Sequence, residues 1–202
     1  MIRRVVQLVF SCIVLAIGVA LLLRAALGSD GWSTLINGIT IASGLPFVVV
    51  NTMVGLLFVA MAWARGLTPG LGTVVQPVLV GFVIGVVMDV VAEPEQGSLR
   101  AILLLIAFPV LAIGVAGYLG SGTGAGPTEG VALAWDPPIP FRWSYSVVQG
   151  GGALIGWLLG ADVGVGTLLV IFLIGPAVDL LSRRFAFFDV HAADHRADQP
   201  LS

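Results

Sequence analysis

The chain has 202 residues, of which 58% are hydrophobic and only 10% charged, with a mean hydropathy of +1.07. A soluble domain carries about 25% charged residues, so this composition excludes a water-soluble globule and makes lipid the main solvent. The net charge is −2 and all nine basic residues are scattered arginines, which excludes an electrostatic nucleic-acid surface.

The first apolar run, 5–26, follows Arg3 and Arg4. That start imitates a secretory signal, but a signal core is about 7–15 residues. This run is longer and recurs later in the chain, so it reads as a retained first transmembrane helix. Cys12 stands alone in it, and no disulfide framework or thiolate metal site is expected. Arg24, near its outer end, is placed to snorkel or to bind a substrate anion with Asp30 as its resting partner. The turn Gly28-Ser29-Asp30-Gly31 follows, then a short segment over 32–42 with Asp30 or Ser29 as its N-cap. Two longer runs come next, 47–64 with Asn51 and Thr52 early, and 72–91, where Gln76 and Pro77 mark a kink and Asp89 closes the run.

After a polar link at 93–98 the pattern returns. A run over 100–119 leads to a glycine-rich turn and a short segment from Pro127, a proline placed for the first helical position. Asp-Pro-Pro-Ile-Pro at 136–140 stops it. Runs over 143–160, with Tyr145, Ser146 and Gln149, and 164–181, closed by Asp179, complete the second half. The six long runs are near the ~20 residues needed to cross a ~30 Å hydrocarbon core. The short segments, at ~1.5 Å per residue, reach about half that depth. His191 and His195 sit four apart in the polar tail and read as tail residues rather than a metal face.

The two halves are one pattern written twice. "IVLAIGVA" at 13–20 matches "PVLAIGVA" at 109–116, and "LGSDGWSTL" at 27–35 falls on "TGAGPTEGV" at 123–131, both at an offset of 96. "LPF" (45–47) falls on "IPF" (139–141) and "PGLGTVV" (69–75) on "VGVGTLL" (163–169), at 94; "FVIGVVMD" (82–89) falls on "FLIGPAVD" (172–179), at 90. Five anchors in one order define a repeat: 1–95, 99–184, and a polar cytoplasmic tail over 185–202. Three crossings per half force the halves into the membrane from opposite sides. With the N-terminus cytoplasmic, Arg3, Arg4, Arg65, Arg142, Arg183 and Arg184 fall inside and only Arg24 and Arg100 outside, in keeping with the positive-inside rule. An eight-crossing alternative would put Arg65 outside and make the short segments span. The expected fold is therefore an all-α membrane protein of six transmembrane helices, as two inverted three-helix repeats each with a re-entrant half-helix.

The "GAGPxxG"-like turn, the "G[LV]GT" turns and the "IGxxxD" helix ends resemble the bacterial YczE/YyaS/YitT family of small integral membrane proteins. The resemblance covers residues 5 to about 182, with "GTGAGPTEG" its most specific piece. Glu129 stands where that family carries an acidic residue after Gly-Pro-x. The first half departs from the pattern: "DGWS" replaces Ser-Pro-Trp-Asp, and its carboxylate, Asp30, lies three places before Ser33. The resemblance implies a polytopic bacterial inner-membrane protein of transporter type, without naming a substrate.

Half-helix N-termini present free N–H groups and a positive dipole end, and paired broken helices build midplane sites in secondary transporters. The expected solute-binding residues are Gly28, Ser29, Asp30, Asn37, Asn51, Gly124, Gly126, Thr128, Glu129, Tyr145 and Gln149, with Asp89 and Asp179 as gates. No phosphate loop is expected at 120–126, since no Lys follows and no strand precedes it. No cofactor, metal or enzymatic activity is expected. The sequence permits a homodimer without requiring one. Two functions stand open: a secondary transporter of a small polar or anionic solute, binding at the half-helix tips, and a non-transporting membrane subunit or scaffold for a partner enzyme. A cavity between the tips favours the first; tightly packed tips favour the second.

Overall fold

The computed structural model describes residues 1–190, and among these the secondary structure is helical throughout. Eight helices follow in order: α1 (Ile2–Ala25), α2 (Gly31–Ser43), α3 (Phe47–Ala64), α4 (Leu71–Val90), α5 (Gly97–Leu119), α6 (Pro127–Ala134), α7 (Phe141–Leu158) and α8 (Val165–Arg184). A single 3₁₀ turn, Ala186–Phe188, comes after them. The expected pair His191 and His195 lies outside the described residues. Five helices, α1, α3, α4, α5 and α8, are long and apolar enough to cross a membrane, and they make the chain a multi-pass membrane protein. The eighteen residues of α7 match α3 in length. Ser144, Tyr145, Gln149 and three successive glycines dilute the apolar character of α7, and it falls below that mark.

The core lies where α1 meets α5. A methyl group added to Gly18 would stand 2.8 Å from the Leu111 nitrogen, and one on Gly114 2.5 Å from the Leu15 nitrogen. Farther along, Gly117 abuts Ser11. Numbers rise on one helix as they fall on the other, so α1 and α5 are antiparallel. Small residues allow this approach, which in lipid must be driven by packing rather than by escape from water. Both contacts join residues that match at the 96-residue offset: Gly18 with Gly114, and Leu15 with Leu111.

The loops are exchanged between halves. The Gly72 N–H donates to the Thr123 carbonyl (2.8 Å), and the Gly166 N–H donates to the Leu27 carbonyl (2.7 Å). In each GxGT turn the threonine hydroxyl accepts from the first glycine: Gly70 N–H to Thr73 Oγ1 (3.1 Å) and Gly164 N–H to Thr167 Oγ1 (3.3 Å). Gly28 and Gly124 face these turns with φ of +110° and +112°, a conformation that a β-carbon disfavours, and one added there would strike Gly164 or Gly70.

The short helices each start beside the middle of a longer one. Gly31 abuts Gln149 and Gly38 abuts Gly156, so α2 runs parallel to α7; Pro127 neighbours Gly55 and Gly130 neighbours Ala62, so α6 runs parallel to α3. Asp30 caps α2: its Oδ2 accepts from the Ser33 N–H (3.1 Å) and its Oδ1 from the Ser33 hydroxyl (2.6 Å). Pro127 opens α6 at its first turn, where a missing N–H costs nothing.

The last two helices of each half differ. The pair α7 and α8 pack together, with Gly150 against Ile171 and Arg142 against Gly175, whereas α3 and α4 hardly touch. Where α4 carries Gln76 and Pro77, the matching part of α8 makes a π turn, Val170–Ile174. Residues 185–190, assigned to the tail by composition, start with an aromatic cluster that folds back on the core. Gln7 Nε2 donates to the carbonyls of Gly117 (3.0 Å) and Phe187 (2.8 Å), and Phe188 packs against the core.

Candidate functional site

Because α3 stands away from α4, a cavity of about 650 Å³ opens between them. Leu15, Val19 and Leu23 of α1 form its back wall. Its floor brings together the first turns of both short helices, Asp30, Trp32 and Ser33 from α2 and Pro127, Thr128 and Glu129 from α6. Gly55 and Gln149, which flank these two tips, are each the ninth residue of an eighteen-residue helix.

The two tips are not equally occupied. At α2 the tip is filled: the Trp32 N–H donates to Gln149 Oε1 (3.2 Å), and Gln149 Nε2 donates to the Tyr145 hydroxyl (2.8 Å). The Trp32 indole N–H reaches Asn51 Oδ1 (3.0 Å), tying α2 to α3. At α6 the residue matching Gln149 is Gly55, which has no side chain to reach the tip. There the Gly126 N–H donates to the Tyr118 hydroxyl (3.2 Å), and the Glu129 carboxyl lies near that hydroxyl. Glu129 is only 6% exposed. Beside it, against Gly126, lies the Gln76 side chain, whose buried Oε1 has no partner.

Five of the residues expected from sequence meet on the cavity wall: Asp30, Asn51, Thr128, Glu129 and Gln149. Tyr145 is buried one layer behind, holding Gln149. Gly126 lies under Gln76. Gly28 and Gly124 are taken up by the GxGT turns, and Ser29 Oγ bonds Thr34 Oγ1 (2.9 Å). Asn37 is exposed on α2 and is not part of the wall. Asp89 is exposed at the end of α4. Asp179 pairs with Arg183 (3.1 Å) on its own helix and with Arg142 (3.5 Å) on α7. Arg24 donates through Nη2 to the Met88 carbonyl and so closes the end of α4, a good place for a cation.

Trp32, Ser33, Thr73 and Gln76 join the wall without having been singled out as binding residues. Gln76 carried a usable signal, an amide inside an apolar crossing, but its neighbour Pro77 drew the reading toward a kink. Trp32 carried none, since an indole at a helix start is as readily a membrane anchor.

A protein of Haemophilus influenzae described as an uncharacterized protein is 30% identical over 175 residues, spanning 85% of this chain and 79% of its own length. No solved structure matches the chain. A family model described as "Family of unknown function (DUF6198)" matches residues 2–183, and the chain belongs to that family.

Proposed function

We propose that the chain is a secondary transporter of a small polar solute, which binds between the two half-helix tips. The observation that carries this reading is a cavity shared by both tips. A scaffold needs no such space.

The reading takes α7 as a sixth crossing, with Gln149 turned toward α2, Ser144 toward α6, and Gly150, Gly152 and Gly156 toward α8 or α2 rather than toward lipid. It takes α2 and α6 as re-entrant. Each meets the midpoint of a long parallel helix, which supports an N-terminus near mid-membrane. The antiparallel seam of α1 on α5, with reciprocal contacts between matching residues, supports an inverted repeat. A repeat axis along the membrane normal would make those helices parallel. The arginine pattern supports cytoplasmic termini in a bacterial inner membrane. The resemblance to YczE-type proteins fits this topology.

The test is chemical access. With Cys12 replaced by Ala, Ser33→Cys and Asn51→Cys are placed one at a time in proteoliposomes and exposed to a small methanethiosulfonate reagent. Modification of both within minutes is expected. Protection of both, in folded protein, would mean packed tips and favour the scaffold.

A further inference from the structure

We infer that the solute is an amphipathic organic cation, which enters sideways from the bilayer between α3 and α4 and docks its ammonium group on Glu129. This rests on the solute-site reading and adds its chemical class. Three observations carry it.

The first is charge. Glu129 is 6% exposed, and its carboxyl lies beside Gly126 and near the Tyr118 hydroxyl. The ionisable groups near enough to interact with it electrostatically are Asp30 from α2, Tyr118 from α5, Cys12 from α1 and Tyr145 from α7. All four are acids. Among the described residues that line the cavity, none is basic. A buried carboxylate without a cation is costly, and here the chain supplies none. An anionic solute, allowed by the sequence, would meet two carboxylates and no arginine.

The second is hydrogen bonding. The unpartnered Gln76 Oε1 and Glu129 Oε2 both crowd Gly126, at 2.6 and 3.0 Å from where its β-carbon would stand. The two oxygens are thus neighbours, and a pair of neighbouring acceptors suits an ammonium group, which is all donor.

The third is the way in. Leu56 of α3 and Val78 of α4 line the cavity and are 67% and 70% exposed. The mouth is thus framed by apolar side chains on two helices apolar enough to lie in lipid. Trp32 adds an aromatic ring to the wall, a group that attracts cations.

The experiment uses the full chain in nanodiscs and three probes that share a six-carbon tail: hexylammonium, hexanol and hexanoate. Binding is read by calorimetry and by Trp fluorescence. Hexylammonium is expected to bind at least about tenfold more tightly than either of the others, and Glu129→Gln, which keeps the shape, to remove that preference. Equal binding of hexanol would mean a site for acyl chains, and tighter binding of hexanoate a site for anions. Either would overturn the cation while leaving a solute cavity in place. Persistence of the preference in Glu129→Gln would overturn the assigned residue. Leu56→Cys, in the Cys12→Ala background, reports a second copy in the gap: efficient cross-linking between two chains would overturn the lateral entrance. Failure of all three probes to bind would overturn the inference; the cysteine-access test above judges the solute site separately.

Discussion

The pair α3 and α4 and the pair α7 and α8 hold matching places in the two halves, and they behave differently. In the second pair Arg142 of α7 reaches Asp179 of α8 at 3.5 Å, and Gln149 fills the space at the neighbouring tip. In the first pair Val48 stands where Arg142 does, and Gly55 where Gln149 does. Asp89 is kept, but no ion pair joins α3 to α4 among the described residues. Two substitutions therefore remove one link and one plug, and the cavity lies where both are missing. An aspartate recurring at one point of a repeat need not mean one role. Here it laces one half and leaves the other unlaced.

The sharpest way to break this comparison is to add one carbon to a glycine in each half. Gly156 of α7 faces the Thr34 backbone, and Gly81 of α4 has nothing within 4 Å. Gly156→Ala is expected to cost roughly 1–3 kcal/mol through overpacking, and Gly81→Ala to be neutral or to gain up to about 1 kcal/mol in helix propensity. Thermal unfolding of both in one detergent checks the pair. Similar losses would mean that Gly81 is packed as closely against its neighbours as Gly156 is against α2.

Next comes a transplant. Gly55→Gln copies into the first half the side chain that fills the second. It should reach the α6 tip and weaken hexylammonium binding by roughly tenfold, about 1.4 kcal/mol, without loss of stability. Unchanged affinity with normal folding would show that the tip is not the docking point.

Trp32→Phe keeps the ring and removes the indole bond to Asn51 (3.0 Å). A loss of about 1 kcal/mol is expected, with faster hydrogen exchange in α3 than in α7. Slower exchange in α3 would contradict the role of that bond as a tether. The smallest effect belongs to Asp179→Asn. Its arginine partners are 38% and 65% exposed, so screening limits the loss to less than about 1 kcal/mol. A larger loss on urea unfolding would make this link the main lock of the second half.

Much of the framework was legible in the sequence, because it is written in local chemistry. Asp30 reads as a cap from its place before an apolar segment, and Pro127 as a first-turn residue. The two octets ending in Asp89 and Asp179 recur at an offset of 90 and mark the ends of α4 and α8 by spacing alone. The exchange of loops was not legible. That Thr123 accepts from Gly72, and Leu27 from Gly166, is a long-range pairing that neither turn encodes alone. Asn37 fell outside the site because its helical position turns it outward, and a period of 3.6 over thirteen residues does not say which face meets α7. The open gap was also hidden: it depends on what Val48 and Gly55 lack, and a missing side chain gives no motif.

The central claim, that α3 stands apart from α4 while α7 closes on α8, is tested most directly by paired spin labels at matching positions. Met53 and Phe82 are exposed on α3 and α4, and Val147 and Phe172 on α7 and α8. With Cys12 replaced by Ala, each pair is converted to cysteines, labelled, and measured by double electron–electron resonance in nanodiscs without added solute. The account predicts a longer and broader distance for positions 53 and 82 than for 147 and 172. Equal distances, or a longer one in the second pair, would contradict it.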